Sequence, residues 1–294
     1  MSFIYAEKIP CEYHNNKETI TIYCDTKIVH SSTVGATFPD PTERELIGKY
    51  GIAKSTIICP EICISFAGNN IRYAGKLFQE LKEQHSFELK DVLTIANKIH
   101  NSTRDINDIE FIITSFENNK LQIDCVKNGN LYTDCQNAWI GSNIAHKHFQ
   151  RYRIINNCYN KAAYEKTVQA FWDTIAGCGD DTVGGFPIVV NYNYDLNSFT
   201  FANYKFFHNP KEQLVKPGEK VVFYTTAENG GYSFECVPIN IFEVLLIFDQ
   251  VELAIVYSRR LRMNSKTAED SSLSSFMFPM LLTKNEDGSW KRCR

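Results

Sequence analysis

An excess of basic charge is missing from this chain. Its 294 residues carry 31 Lys and Arg against 34 Asp and Glu, a formal net charge of −3. A surface that neutralises phosphates needs such an excess, so no nucleic-acid partner is expected. A long uninterrupted apolar run is missing too. The nearest approach, INIFEVLLIFDQVELAIVY at 239–257, is broken by Glu243, Asp249 and Glu252. Each charge at mid-bilayer costs about 2.5–3.5 kcal/mol on insertion scales, so a packed helix or a pair of strands is expected there and no membrane span. Metal-ligand spacing is the third absence. There are ten cysteines, of which Cys59 and Cys63 stand as C-x3-C inside IICPEICISF, with no Cys/His pair at zinc-finger distance. With no apolar secretory segment ahead of them, they are expected to be reduced thiols in the cytoplasm. His146 and His148 in AHKHF read as solvated side chains at a helix start, and no metal or cofactor is expected.

What is present is apolar material arranged in short periods. At 44% hydrophobic, the chain has enough for a full core. FIYAEKI and ETITIYCD alternate with period two and are joined by the Asn-rich CEYHNNK, which suits a hairpin. STIIC and EICISFAG, joined at Pro60-Glu61, make the next pair. From Asn69 the period changes to helical, through Ile71, Ala74, Leu77, Phe78 and Leu81, and a second helix is expected over Leu89–Ile99. Strands return as DIEFIITSFE, KLQIDCVKN, NLYTDC and NAWIGS. A helix over roughly 160–175 and a Gly-rich break, GCGDDTVGG, lead into FPIVVNYN. This order predicts an α+β fold with antiparallel sheets packed between helix layers. Beyond residue 205 the character shifts, with KPGEKVVFYTT, an Asn229-Gly230-Gly231 turn signal into YSFECV, and a Ser-rich loop, SKTAEDSSLSS. The expected division is a domain over 1–205 and a C-terminal extension over 206–294.

The candidate chemistry begins at MSFIYAEKI, where Ser2 stands at the head of the first strand. A serine hydroxyl needs a base, and a free α-amine titrating near pH 7.7–8 can serve, provided nothing is attached to it. Removal of Met1 is expected to expose it. With CDTKI, KSTIICPEICISFAG, WIGSN and GDDTVGG, residues 2–205 resemble a proteasome-type N-terminal-nucleophile hydrolase. The resemblance implies a four-layer αββα sandwich with a C-terminal extension, in which Ser2 attacks a peptide or amide carbonyl. It implies that Asp25 and Lys54 tune the nucleophile, with Lys27 in the place of the family's arginine. It further implies that the Gly68 N–H stabilises the oxyanion, that Ser142 hydrogen-bonds the terminal amine, and that an acid at Asp180 or its neighbour Asp181 completes the site. Phe66 takes the position that shapes the family's specificity pocket. Val183 stands where the family often has a serine, and the segment between Asp25 and Lys54 is longer than in the family, which suits a lid or a subunit contact. A peptide or protein substrate and a homo-oligomeric assembly are implied. Two alternatives stay open: a subunit that keeps the fold as an inactive scaffold or binding module, and an amidase acting on a small metabolite.

Overall fold

The alternation at the start of the chain becomes a hairpin of β1 (Phe3–Cys11) and β2 (Lys17–Cys24), paired from Ile4↔Cys24 to Cys11↔Lys17. In this computed structural model the structure describes residues 2–11, 17–29, 41–84, 86–156, 163–208, 232–248, 253–259 and 277–292. The Asn-rich turn at 12–16, residues 30–40 of the segment between Asp25 and Lys54 that suits a lid or a subunit contact, KPGEKVVFYTT with the Asn-Gly-Gly turn, and the Ser-rich loop lie outside the described residues. After the hairpin come α1 (Pro41–Tyr50), β3 (Ser55–Cys59), β4 (Ile62–Ala67), α2 (Arg72–Glu83) and α3 (Leu89–Asn101). Four strands follow: β5 (Glu110–Glu117), β6 (Lys120–Lys127), β7 (Asn130–Tyr132) and β8 (Asn137–Gly141). Then come α4 (Asn143–Asn156), α5 (Ala163–Gly177), β9 (Ile188–Asn193) and β10 (Ser198–Phe201). The chain closes with β11 (Tyr204–His208), β12 (Tyr232–Asn240), β13 (Glu243–Phe248), β14 (Leu253–Arg259), β15 (Met277–Lys284) and β16 (Trp290–Arg292). The fold is therefore α+β, with five helices among the described residues and three antiparallel sheets.

The sheets run β10-β9-β2-β1-β8, β3-β4-β5-β6-β7 and β11 through β16 in order. Period-two alternation sends successive side chains of one strand to opposite faces of its sheet. From β1 and β2, Phe3, Tyr5 and Tyr23 face α4 and α5. Phe3 lies 5.5 Å from Phe149 and 5.3 Å from Phe171, centroid to centroid, and Tyr23 lies 5.9 Å from Phe171. Ile4, Ala6 and Ile22 point the other way and share a core with Ile57, Cys63, Ile112 and Ile123 of the second sheet. That sheet turns Ile64, Phe66, Phe111 and Ile113 to its far side, where Leu77, Phe78, Val92 and Ile95 of α2 and α3 cover them. The middles of the central strands are buried on both faces, and the charged residues Lys17, Glu18, Glu117 and Lys120 stand at the exposed strand ends.

The apolar stretch at 239–257 resolves into strands, β13 and β14, paired from Glu243↔Ser258 to Phe248↔Leu253. No helix among the described residues is long and apolar enough to cross a membrane. Phe234 and Phe248 of the third sheet pack on Phe186 at 6.0 and 5.5 Å, and Phe234 also meets Trp172 at 5.8 Å. The Tyr257 hydroxyl donates to the Tyr50 carbonyl at 2.8 Å, tying α1 to this sheet. The sequence reading misses α1 and sees α4 only as a helix start at His146 and His148. Leu46, Ile47 and Tyr50 give α1 a thin apolar stripe, and α4 hides its inward Ala145 and Phe149 among the exposed Ile144, Ile154 and Ile155.

Candidate active site

Asp25 lies immediately past β2, where the ladder with β1 continues by one step. Its N–H donates to the Phe3 carbonyl at 3.3 Å, and its Oδ1 accepts the Phe3 N–H at 3.1 Å. The carboxylate is thereby fastened to the residue after Ser2. Lys54, just ahead of β3, donates from Nζ to Asp25 Oδ1 at 2.8 Å and to the Lys27 carbonyl at 2.5 Å. The Gly184 N–H reaches Asp25 Oδ2 at 3.2 Å. Asp25 is 0% exposed and Lys54 2%. Burial pushes the Lys54 ammonium below the usual lysine range and the Asp25 carboxyl above its own, each against the attraction of the other. Three N–H donors converge on Asp25, a geometry that suits the ionised pair.

The other side of residue 2 is held from β8 and the loop after α5. The Ser142 N–H donates to the Ser2 carbonyl at 2.7 Å. Gly141 has φ +90°, and a Cβ there would lie 1.9 Å from that same oxygen, so the close approach requires glycine. The Ser142 hydroxyl bonds Asp180 Oδ2 and also accepts the Ala145 N–H at 3.1 Å, which makes Ser142 the N-cap of α4. Asp180 Oδ1 accepts Thr182 N–H at 2.9 Å and the Thr182 hydroxyl at 2.5 Å. Burial raises the Asp180 carboxyl, but the bonds from Ser142 and Thr182 outweigh it and hold it below the ordinary value. Asp180 is thus the acid joined to Ser142, and its neighbour Asp181 is exposed.

Gly68 sits at the end of β4. A Cβ there would meet the Asp108 carbonyl oxygen at 2.2 Å and Ile109 Cα at 2.7 Å, so packing alone demands glycine. No backbone acceptor among the described residues takes its N–H. Phe66 points into the helix-facing core, 6.1 Å from Phe78 centroid to centroid. Lys27 lies on the wall of a cleft of about 560 Å³ that opens beside Asp180. The Gly-rich run Gly179 to Gly185 forms one side of this cleft, and Gly48 to Gly51, at the end of α1, form the other. Val183, which is buried, lines it as well.

The structure thus gathers Ser2, Asp25, Lys54, Ser142 and Asp180 around the head of β1, with Lys27 at the neighbouring cleft and Phe66 in a core. Sequence reasoning missed Thr182, although Asp-x-Thr is an ordinary signal for a local side-chain turn. It also missed Glu110, a carboxylate at the head of an apolar strand that is 4% exposed. Among the described residues no three His, Cys, Asp or Glu side chains gather as around a metal ion. His146 stacks on Trp139 at 4.2 Å, and burial, with the Lys127 charge, pushes it down to about 4. No family model matches the chain, and no curated protein matches its sequence.

Proposed function

We propose that this protein is an N-terminal-nucleophile hydrolase of the serine kind, built on a four-layer αββα sandwich, that cleaves an amide or peptide bond. One observation carries the reading: a buried Lys54–Asp25 pair fastened to the backbone beside Ser2. Taking two charges out of water costs several kcal/mol each, and apolar replacements of such pairs are often neutral or stabilising. A pair kept in that position is better explained by chemistry than by stability.

The proposed cycle needs the peptide bond before Ser2 cut, so that residue 2 carries a free amine. Its Oγ loses a proton to that amine and attacks the substrate carbonyl, with the oxyanion at the Gly68 N–H. The amine then gives the proton to the leaving nitrogen as the C–N bond breaks, leaving an ester on Ser2. Water attacks the ester, losing a proton to the amine, and the proton returns to Oγ as the acid departs. Lys54 lowers the proton affinity of the nucleophile throughout, and Asp180 and Ser142 orient the amine. Assembly into a homo-oligomer is proposed with the family reading, and light scattering on the purified protein tests it.

Within the same chemistry a small amide is the alternative to an extended peptide as substrate; the cleft beside Asp180 has Lys27 and Asp180 on its walls but not Ser2. The test is intact mass and peptide mapping after incubation with a hydroxyl-directed β-lactone. An acyl adduct on Ser2, lost in Ser2→Ala and slowed on the order of a hundredfold in Lys54→Met, is the expected result. A chain with a free Ser2 amine that takes no adduct would leave the scaffold reading in its place.

A further inference from the structure

Two ionisable groups that the proposed chemistry does not use, the buried Glu110 and the half-buried Lys127, reach the strand that ends beside Ser2. Strand β8 is the edge of its sheet, with β1 on one side only. The backbone groups on its free side need other partners or water. The second sheet supplies two. The Gly141 N–H donates to Glu110 Oε2 at 2.7 Å. Lys127 Nζ donates to the Trp139 carbonyl at 3.3 Å and lies 2.9 Å from the centroid of the Trp139 ring. Residues two apart on a strand present their backbone groups to the same edge, so the pair grips two successive free groups.

Both side chains are committed to this place. Burial raises the Glu110 carboxyl, while the Gly141 N–H and the Lys127 charge draw it back. Burial lowers Lys127, and Glu110 draws it up. The strand that carries Glu110 is itself anchored. His100 Nδ1 meets the Ile109 carbonyl at 2.6 Å, and His100 Nε2 accepts the Gly129 N–H at 2.8 Å, so the ring bridges the β6–β7 turn to the residue before Glu110.

The gripped segment is the turn that holds residue 2. Gly141 is so close to the Ser2 carbonyl that only glycine fits, and the Ser142 N–H bonds that oxygen at 2.7 Å. We propose that Glu110 and Lys127 are positioning residues for Ser2, clamping the free edge of β8 so that the Gly141–Ser142 turn fixes the backbone of the nucleophile. The inference rests on the reading of Ser2 as nucleophile. Neither side chain touches the reacting atoms; they act through Gly141 and Trp139.

The test takes Glu110→Ala, Glu110→Gln and Lys127→Met in the full chain with two readouts. Hydrogen exchange over residues 137–145 reports the clamp without any need for activity. The rate of β-lactone acylation per folded molecule reports positioning. Glu110→Ala should speed exchange at Gly141 and Ser142 and slow acylation on the order of tenfold to a hundredfold, since small misplacements of a nucleophile have effects of that size. Glu110→Gln keeps an acceptor of the same reach and should restore acylation to within about threefold of the parent. Lys127→Met should move both readouts in the direction of Glu110→Ala, and it decides the matter if Glu110→Ala does not fold. Exchange at Gly141 and Ser142 that stays at the parent rate, or acylation at the parent rate in a folded variant, overturns the positioning role alone. A parent protein with a free Ser2 amine that is never acylated overturns the hydrolase reading and the positioning role with it.

Discussion

Lys54 Nζ and Asp25 Oδ1 meet at 2.8 Å with almost no exposure, and what holds them there is mutual dependence. Removing one partner strands the other charge in the interior. Lys54→Met should therefore destabilise the protein by about 3–5 kcal/mol in urea unfolding, and Asp25→Asn/Lys54→Met should lose less than the sum of the two single changes. His146 sets a pH dependence at the same scale. Its folded value of about 4, held down first by burial and then by the Lys127 charge, lies below the ordinary 6.5. The neutral ring is the form the fold favours, so its contribution is complete above about pH 6.5 and is lost as pH falls from there through about 4. The ring is half-exposed, which keeps the stability change small. Lys127→Met should raise the His146 titration midpoint toward the ordinary value, read by NMR of the ring protons. A midpoint unmoved by that change would show burial alone to be responsible.

At the scale of elements, the turns around the site are set by how closely backbones approach. Gly51 ends α1 with φ +71°, and a Cβ there would lie 1.6 Å from the Thr26 carbonyl oxygen, which also accepts the Ile52 N–H at 2.8 Å. Gly129 has a similar φ of +75°, yet its nearest neighbour would be Asn101 Oδ1 at 3.9 Å. Gly51→Ala should thus cost about 2–4 kcal/mol, clash added to strain, and Gly129→Ala only about 1 kcal/mol. Chemical denaturation of the two variants measures the difference. Equal losses would mean that the α1 end moves away from Thr26 freely. The contrast has a functional side, because α1 walls the cleft beside Asp180. Its own sequence specifies it weakly, and Tyr257 helps to keep it in place from the third sheet.

Over the whole molecule, the third sheet, which begins at Tyr204, shares a core with what precedes it. Phe234 sits among Trp172, Phe186, Tyr204 and Phe248. Phe234→Ala should destabilise the protein by about 3–5 kcal/mol. The far-UV circular dichroism and tryptophan fluorescence transitions should shift together, since Trp172 reports from the earlier part of the chain. Separated transitions would show that the third sheet melts alone.

The sequence by itself determines the local periods. The hairpin at β1 and β2, the β3–β4 turn at Pro60-Glu61, and the helices from Arg72 and Leu89 are all written in alternation or in three- and four-residue spacing, because burial on one face needs only that pattern. It also places Asp25 and Lys54 at the mouths of strands. Only the tertiary structure decides what those faces meet. It puts Asp180 against Ser142 and leaves Asp181 exposed, turns Phe66 toward Phe78, supplies Thr182 to the Asp180 carboxylate, and brings Glu110 and Lys127 to the free edge of β8. The physical reason is distance along the chain: the Gly184 N–H reaches Asp25 from 159 positions away, and no local period records which partner a folded chain will bring.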